Sequence, residues 1–306
     1  PTGECCVAAP PVLEFDPEGN LVNSWGGPSA SKEYLWPESN HGIAVDNKGN
    51  IWVGGNGRWA GAAGEGGKGD SHILVFTHDG KFIKTIGVPG RAPNSNSMDA
   101  FGLVAKISFD FGANEAFIAD GYGNKRVAVL DMGTGAIKRY WGAYGNKPDD
   151  ANAGRYNPDA PLIQQFRNPV HCAEPSNDGL VYVCDLPNDR LQVFKKDGSF
   201  VKEVRIAPKT LGDGSTWDIA FSKDKAQKYM FLADGKNEKV YVMDREKLEI
   251  LTSFGDAGRQ PGQFFAVHSI AADSKGSLYT TETDEGKRIQ RIVYRGIKPV
   301  QVTNQG

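Results

Sequence analysis

The sequence predicts an all-β protein built as a six-bladed β-propeller, a single domain over residues 1–306. Composition and an internal repeat predict it. Thirty-eight glycines, 17 prolines and 10% aromatic residues suit many short strands joined by tight turns, and a helical protein is not expected. Five stretches then share one pattern: "NHGIAVDNKGNIWVGG" with "HILVFTHDGKFIKTIG", "LVAKISFDFGANEAFIADGYGNKRVAVLDMGTGAIKRYWG", "PVHCAEPSNDGLVYVCDLPNDRLQVFKKDGSFVKEVRI", "TWDIAFSKDKAQKYMFLADGKNEKVYVMDREKLEILTSFG" and "VHSIAADSKGSLYTTETDEGKRIQRIVY". Each reads as strand, Gly/Asp/Lys turn, strand, polar turn, strand, and often a fourth strand closing on Phe-Gly or Trp-Gly. That is one propeller blade at a period of about 40–50 residues. The N-terminal "VLEFDPEGNLVNSWG" reads as the outer half of a further blade, so that residues 1–26 contribute to ring closure and the count reaches six. A five-bladed ring, with "KPVQVT" and the N-terminal segment sharing one blade, is the alternative.

A net charge of −2, with neither sign gathered in a long block, argues against nucleic acid and against anionic lipid as partners. No run approaches the roughly 18 apolar residues of a membrane span. The chain opens on "PTGECCVAAPP" without a methionine, which fits a mature secreted or periplasmic protein. Oligomeric state is not readable from this pattern.

The four cysteines are Cys5, Cys6, Cys172 and Cys184. Cys172 and Cys184 lie symmetrically about Asp178 in a strand–turn–strand unit, so they are expected to face each other across a hairpin, as a disulfide ahead of a pair of buried thiols. Adjacent Cys5 and Cys6 are compatible with a vicinal disulfide, a soft-metal site or simple packing.

The first strand of each repeat carries, at one position, His41, Ala105, His171, Trp217 and His268. Three of the five histidines therefore share a repeat position, and they come from alternate blades. In a six-fold ring such positions are a third of a turn apart and converge on the axis. Three neutral imidazoles with an open fourth position describe a zinc site, or one for another divalent transition metal. His72 and His78, on an outer strand and its turn, are expected to face solvent.

The repeats look like NHL-type blades, and the strings "NHGIAVDNKGNIWV", "ADGYGNKRVAVLD", "PVHCAEPSNDGLVYVCD" with "DRLQVF", and "VHSIAADSKGSLYTTE" resemble, in order and spacing, the peptidyl-α-hydroxyglycine α-amidating lyase family across residues 12–294. The resemblance implies a six-bladed propeller with a catalytic zinc on His41, His171 and His268, a structural calcium, and cleavage of peptidyl-α-hydroxyglycine to a peptide amide and glyoxylate. It implies a proton-transfer role for Tyr122. Two departures stand out. Ser269 follows His268 where the family has a calcium-binding aspartate, which makes calcium the weaker expectation. No arginine stands in "PTGECCVAAPP", where the family has an active-site one. Arg58, in "GGNGRWAGAAGEGGKGD", and Arg167, in "QFRNPVH", are the candidates to replace it in gripping a substrate carboxylate.

The expectation is thus a metal-dependent lyase or hydrolase acting on a small-molecule or peptide substrate, with Tyr122 moving the proton and Trp217 walling the pocket. The alternative is a non-catalytic propeller that binds a protein or glycan through the insertions at 55–70, 88–102 and 143–165, its metal structural. A calcium-dependent lactonase-type propeller is disfavoured, since such sites use carboxylates and Asn.

Overall fold

Each repeat folds as an antiparallel meander because its turn residues accept backbone that strands refuse. In "SNDG" the chain reverses over Gly179, at φ 86°, with Gly179 N–H on the Ser176 carbonyl at 3.1 Å and Ser176 N–H on the Leu180 carbonyl at 2.8 Å. A side chain at that φ is strained, so glycine sits there. The computed structural model describes residues 8–58 and 69–297, and the chain divides into two compact units, 1–216 and 217–306.

The first unit begins with a two-stranded sheet, β1 (Val12–Phe15) and β2 (Leu21–Trp25). Three four-stranded meanders follow. They are β3 (Asn40–Val45), β4 (Ile51–Gly55), β5 (His72–Phe76) and β6 (Phe82–Gly87); β7 (Val104–Asp110), β8 (Glu115–Asp120), β9 (Arg126–Asp131) and β10 (Ile137–Trp141); and β11 (Val170–Pro175), β12 (Leu180–Asp185), β13 (Arg190–Lys195) and β14 (Phe200–Arg205). The second unit holds β15 (Asp218–Phe221), β16 (Tyr229–Asp234), β17 (Lys239–Asp244) and β18 (Glu249–Phe254), then the three-stranded β19 (Val267–Ala272), β20 (Leu278–Glu282) and β21 (Ile289–Ile292). Every pairing between consecutive strands of these sheets is antiparallel.

Five blades of three or four strands are thus present among the described residues, where the sequence predicts six. The difference lies at β1 and β2, which pair with each other alone among the described strands. Cys5 and Cys6 and the whole "KPVQVT" segment lie outside the described residues.

The core lies between blades. In the first unit Phe117, Val127, Trp141, Val170, Val183 and Phe194 pack the β7–β10 sheet on β11–β14, and Trp52, Ile73, Phe101, Ile107 and Leu130 pack β3–β6 on β7–β10. In the second, Ala233, Val240, Phe264, Val267 and Ile270 do the same. Because a middle strand is covered on both faces, β8 and β4 are buried throughout. The same two-sided burial overturns one expectation. His72, predicted to face solvent, is 0% exposed and places Nε2 2.7 Å from the Leu35 carbonyl. His78 is exposed, 3.0 Å from Glu14.

Where the second strand turns into the third, buried ion pairs fasten the loop that enters the blade. Asp120 accepts from Arg126 Nε at 2.7 Å, and Asp185 from Arg190 Nε and Nη2 at 2.9 and 2.6 Å. In the second unit Arg288 pairs with Glu282 at 2.8 Å. Cys172 and Cys184 are direct partners across β11 and β12 and form a disulfide, as their symmetry about the turn predicts.

Candidate functional site

Each candidate histidine sits in an irregularity of its strand. In β3 the pairing passes from Asn40↔Gly55 to Ile43↔Val53, and in β11 from Val170↔Asp185 to Cys172↔Cys184, so that His41 and His171 fall in the skipped positions. Ala105 occupies the same skip in β7. In the second unit the skip in β19 falls on His268. A bulge frees one residue from the ladder and re-aims its side chain. The repeat position read from the sequence is therefore a bulge position in four of the five blades, and Trp217 lies just before β15.

Within the first unit three side chains meet. Gly42 brings β3 against β7, where an added Cβ would stand 3.2 Å from the Ala105 carbonyl oxygen, and in that close approach His41 Nδ1 lies 2.7 Å from the same oxygen. A carbonyl only accepts, so Nδ1 carries the proton and Nε2 presents a lone pair. Burial holds the His41 pKa below its ordinary value against the opposing pull of that carbonyl, which favours the neutral ring. The Tyr122 hydroxyl lies 2.8 Å from His41 Nε2 and 3.1 Å from the Nε2 of buried His171. It donates to His41, whose Nε2 has no proton to give. The two imidazoles stand nearly perpendicular, 5.2 Å apart between centroids.

The turn that carries Tyr122 is held from both sides. Asp120 accepts from Gly102 N–H at 2.6 Å and from Asn124 Nδ2 at 2.9 Å. Asn168 Nδ2 donates to the carbonyls of Gly121 and Asn124 at 2.8 and 2.7 Å. Gly121 passes so close to Val170 that any side chain there would collide with its backbone. The "DGYGNKR" string thereby brings the phenol to the strand that bears His171.

Of the two candidate arginines, Arg58 comes to this group. It is exposed, forms an isolated antiparallel bridge with Gly69, and its Nη2 donates to the Tyr122 carbonyl at 3.3 Å. Arg167 turns elsewhere: its Nε donates to Asn188 Oδ1 at 2.6 Å and its Nη1 to the carbonyls of Ala153 and Gly154. In the second unit His268 Nδ1 lies 3.2 Å from Ser269 Oγ, and the Trp217 ring meets the His268 ring edge-on at 5.5 Å. His41 and His171, in the first unit, and His268, in the second, each offer one ring nitrogen of the kind that holds a metal ion.

The sequence reading missed the Ala105 carbonyl and the Asn168 amide. A backbone acceptor has no signature of its own, although Gly42 directly after His41 marks the close approach that makes it reachable.

No family model matches the chain. Among solved structures, a streptogramin B lyase is 15% identical, covering 93% of this chain and 76% of its own, with a TM-score of 0.52. A virginiamycin B lyase from Staphylococcus aureus is 13% identical over 84% of this chain and 71% of its own, at 0.50. The β-propeller domain of Myceliophteria thermophila Cps50 (Swd1) is 12% identical over 88% and 71%, at 0.52. At these identities the likeness shows the fold, and the fold is the β-propeller.

Proposed function

We propose that the protein is a secreted or periplasmic, single-domain, NHL-type propeller acting as a metal-dependent lyase or hydrolase, in which His41, His171 and His268 hold one divalent transition metal, zinc by preference. The observation that carries this reading is the convergence of two imidazole Nε2 atoms on one point, the Tyr122 hydroxyl, at 2.8 and 3.1 Å. The donor set fits a metal. Neutral imidazole is a ligand for zinc, and the Ala105 carbonyl on the far nitrogen of His41 is the outer partner that orients a ligating histidine. Such a metal supplies Lewis-acid polarisation of a substrate oxygen.

The chain's own part is proton transfer and orientation. In cleavage of an α-hydroxyamide the hydroxyl proton leaves, the oxygen's electrons form the carbonyl, the C–N bond breaks and the departing nitrogen takes up a proton. In this reading Tyr122 moves that proton, Arg58 beside it orients an anionic end of the substrate, and Trp217 walls the side of His268. That two solved propellers of like fold are named as lyases supports the class. The disulfide supports an oxidising compartment, and no helix among the described residues is long and apolar enough to cross a membrane. The second reading, a propeller that binds a protein or glycan around a structural metal, is favoured by the absence of an arginine from "PTGECCVAAPP".

Metal analysis of untagged protein tests the centre. About one transition metal per chain is expected, lost from His41→Ala, His171→Ala and His268→Ala; unchanged metal in all three overturns it. Glyoxylate release from an α-hydroxyhippurate-type substrate tests the reaction. Turnover is expected to be weak, with Tyr122→Phe slowing it about a hundredfold. Turnover indifferent to Tyr122→Phe and to chelators leaves the binding reading in its place.

A further inference from the structure

Beside the Tyr122 turn, and formed wholly by the first unit, lies an open cavity of about 1000 Å³. We propose that this cavity binds a small organic oxyanion, a carboxylate, phosphate or sulfate, clasped by Arg167, Lys125 and Arg155. These three cations line it against one carboxylate, Asp150, and that carboxylate is already engaged. It accepts the Ser95 N–H at 3.0 Å and the Ser95 hydroxyl.

Arg167 is the centre of the argument. It is 8% exposed, yet its contacts are neutral: the Asn188 amide oxygen and the carbonyls of Ala153 and Gly154. Among the described residues, none of its hydrogen bonds uses Nη2. The acid whose charge it feels, Asp185, is held on its other side by Arg190 through two bonds of 2.9 and 2.6 Å. A guanidinium taken out of water without a carboxylate is expensive, and an anion arriving in the cavity offsets that cost.

Lys125, 6% exposed, donates to the Ala151 carbonyl, which leaves two of the ammonium's three protons for a ligand. Burial draws both the Arg167 and Lys125 pKa values down, against the opposing pull of Asp185 on Arg167 and of Asp150 and Asp149 on Lys125. The amides of Asn152 and Asn168 line the same cavity and suit the polar body of such a ligand. The volume matches that of sites for metabolite-sized molecules. The inference is independent of the metal centre, because it concerns binding and uses none of the histidines.

Calorimetric titration and thermal unfolding at low salt, with inorganic phosphate, inorganic sulfate and citrate as probes, test it. At least one probe is expected to bind in the millimolar range or tighter and to raise the melting temperature by mass action. The order of the three affinities identifies which oxyanion the cavity prefers. Arg167→Gln is expected to abolish binding. Should that variant fail to fold, Arg155→Glu, at an exposed position, carries the test with an expected loss of about tenfold. Absence of heat and of thermal shift with all three probes overturns the proposal, as does binding unchanged in Arg155→Glu.

Discussion

The third strands of two blades, β13 and β5, begin at the same repeat position, one with Arg190 and the other with His72. Arg190 binds Asp185 twice and donates to the carbonyls of Ile163 and Gln165, both at 3.1 Å, so one side chain ties the incoming loop to the sheet. In the β3–β6 blade the task is divided. Asp70 accepts the backbone N–H groups of Glu38, Ser39 and Gly57 at 3.0, 3.1 and 2.7 Å. His72 gives a single bond to the Leu35 carbonyl, and its Nδ1 is buried with no partner among the described residues. The repeat preserves the fastening and not the residue. The blade that also carries His41 is fastened with less charge.

Removing the stronger fastening has the largest expected effect. Arg190→Ala leaves Asp185 as a buried carboxylate without its guanidinium, and breaking such a pair costs about 3–5 kcal/mol. Urea unfolding of the variant beside the wild type measures it. A loss below about 1 kcal/mol would show that the loop is held by packing alone.

The β7–β10 blade sharpens the comparison because it is clamped at both ends. Besides Asp120–Arg126, Glu115 at the start of β8 takes Arg139 through two bonds of 2.7 and 2.6 Å and Lys138 through one of 2.5 Å. The Arg139 bonds chiefly, then those of Lys138, push the Glu115 pKa from 4.5 down to about 2, against burial. A depressed folded-state value means stability that is complete above pH 4.5 and lost as the pH falls towards about 2. Allowing for solvent screening at the partly exposed Lys138, the contribution is about 2 kcal/mol. Glu115→Gln is therefore expected to lower stability at neutral pH by that amount and to flatten the acid limb of a pH series of urea melts. An unchanged acid limb would rule the clamp out as its source.

What was legible in the sequence follows from the same contrast. Strand order, the Cys172–Cys184 pair and the shared position of His41, His171 and His268 follow from period and symmetry, which local sequence records directly. Tyr122 came from resemblance, and its meeting with the two Nε2 atoms depends on Gly121, Asn168 and the bulges. Those set distances between blades that no single repeat encodes. The sequence offers Arg167 beside Arg58 for a substrate carboxylate, and what it does not record is the contact of its guanidinium with the loop carbonyls of residues 153 and 154. The sixth blade is not seen complete among the described residues for a related reason: "VLEFDPEGNLVNSWG" has the alternation of a blade's outer half and does pair as β1 and β2, but alternation does not say which strand lies alongside. His72 was misread because an outer position in a blade is still covered by the next blade.

His72 also gives the smallest expected effect and the finest test of the comparison. Burial, before any other cause, holds its pKa below 6.5, with the Leu35 carbonyl and Asp70 pulling the other way. The unfolded chain therefore takes up the proton more readily than the folded one, and His72 contributes stability above pH 6.5 that declines as the pH falls through the lower folded-state value. His72→Gln keeps a donor for the Leu35 carbonyl and cannot be protonated. Its cost at pH 8 is expected to be about 1 kcal/mol, well under that of Arg190→Ala, and the difference from wild type should shrink as the pH drops below 6. A variant equally destabilised at every pH would mean that the imidazole acts through shape alone. One as damaging as Arg190→Ala would mean that the two fastenings bear equal weight, and that the asymmetry between the blades is only chemical.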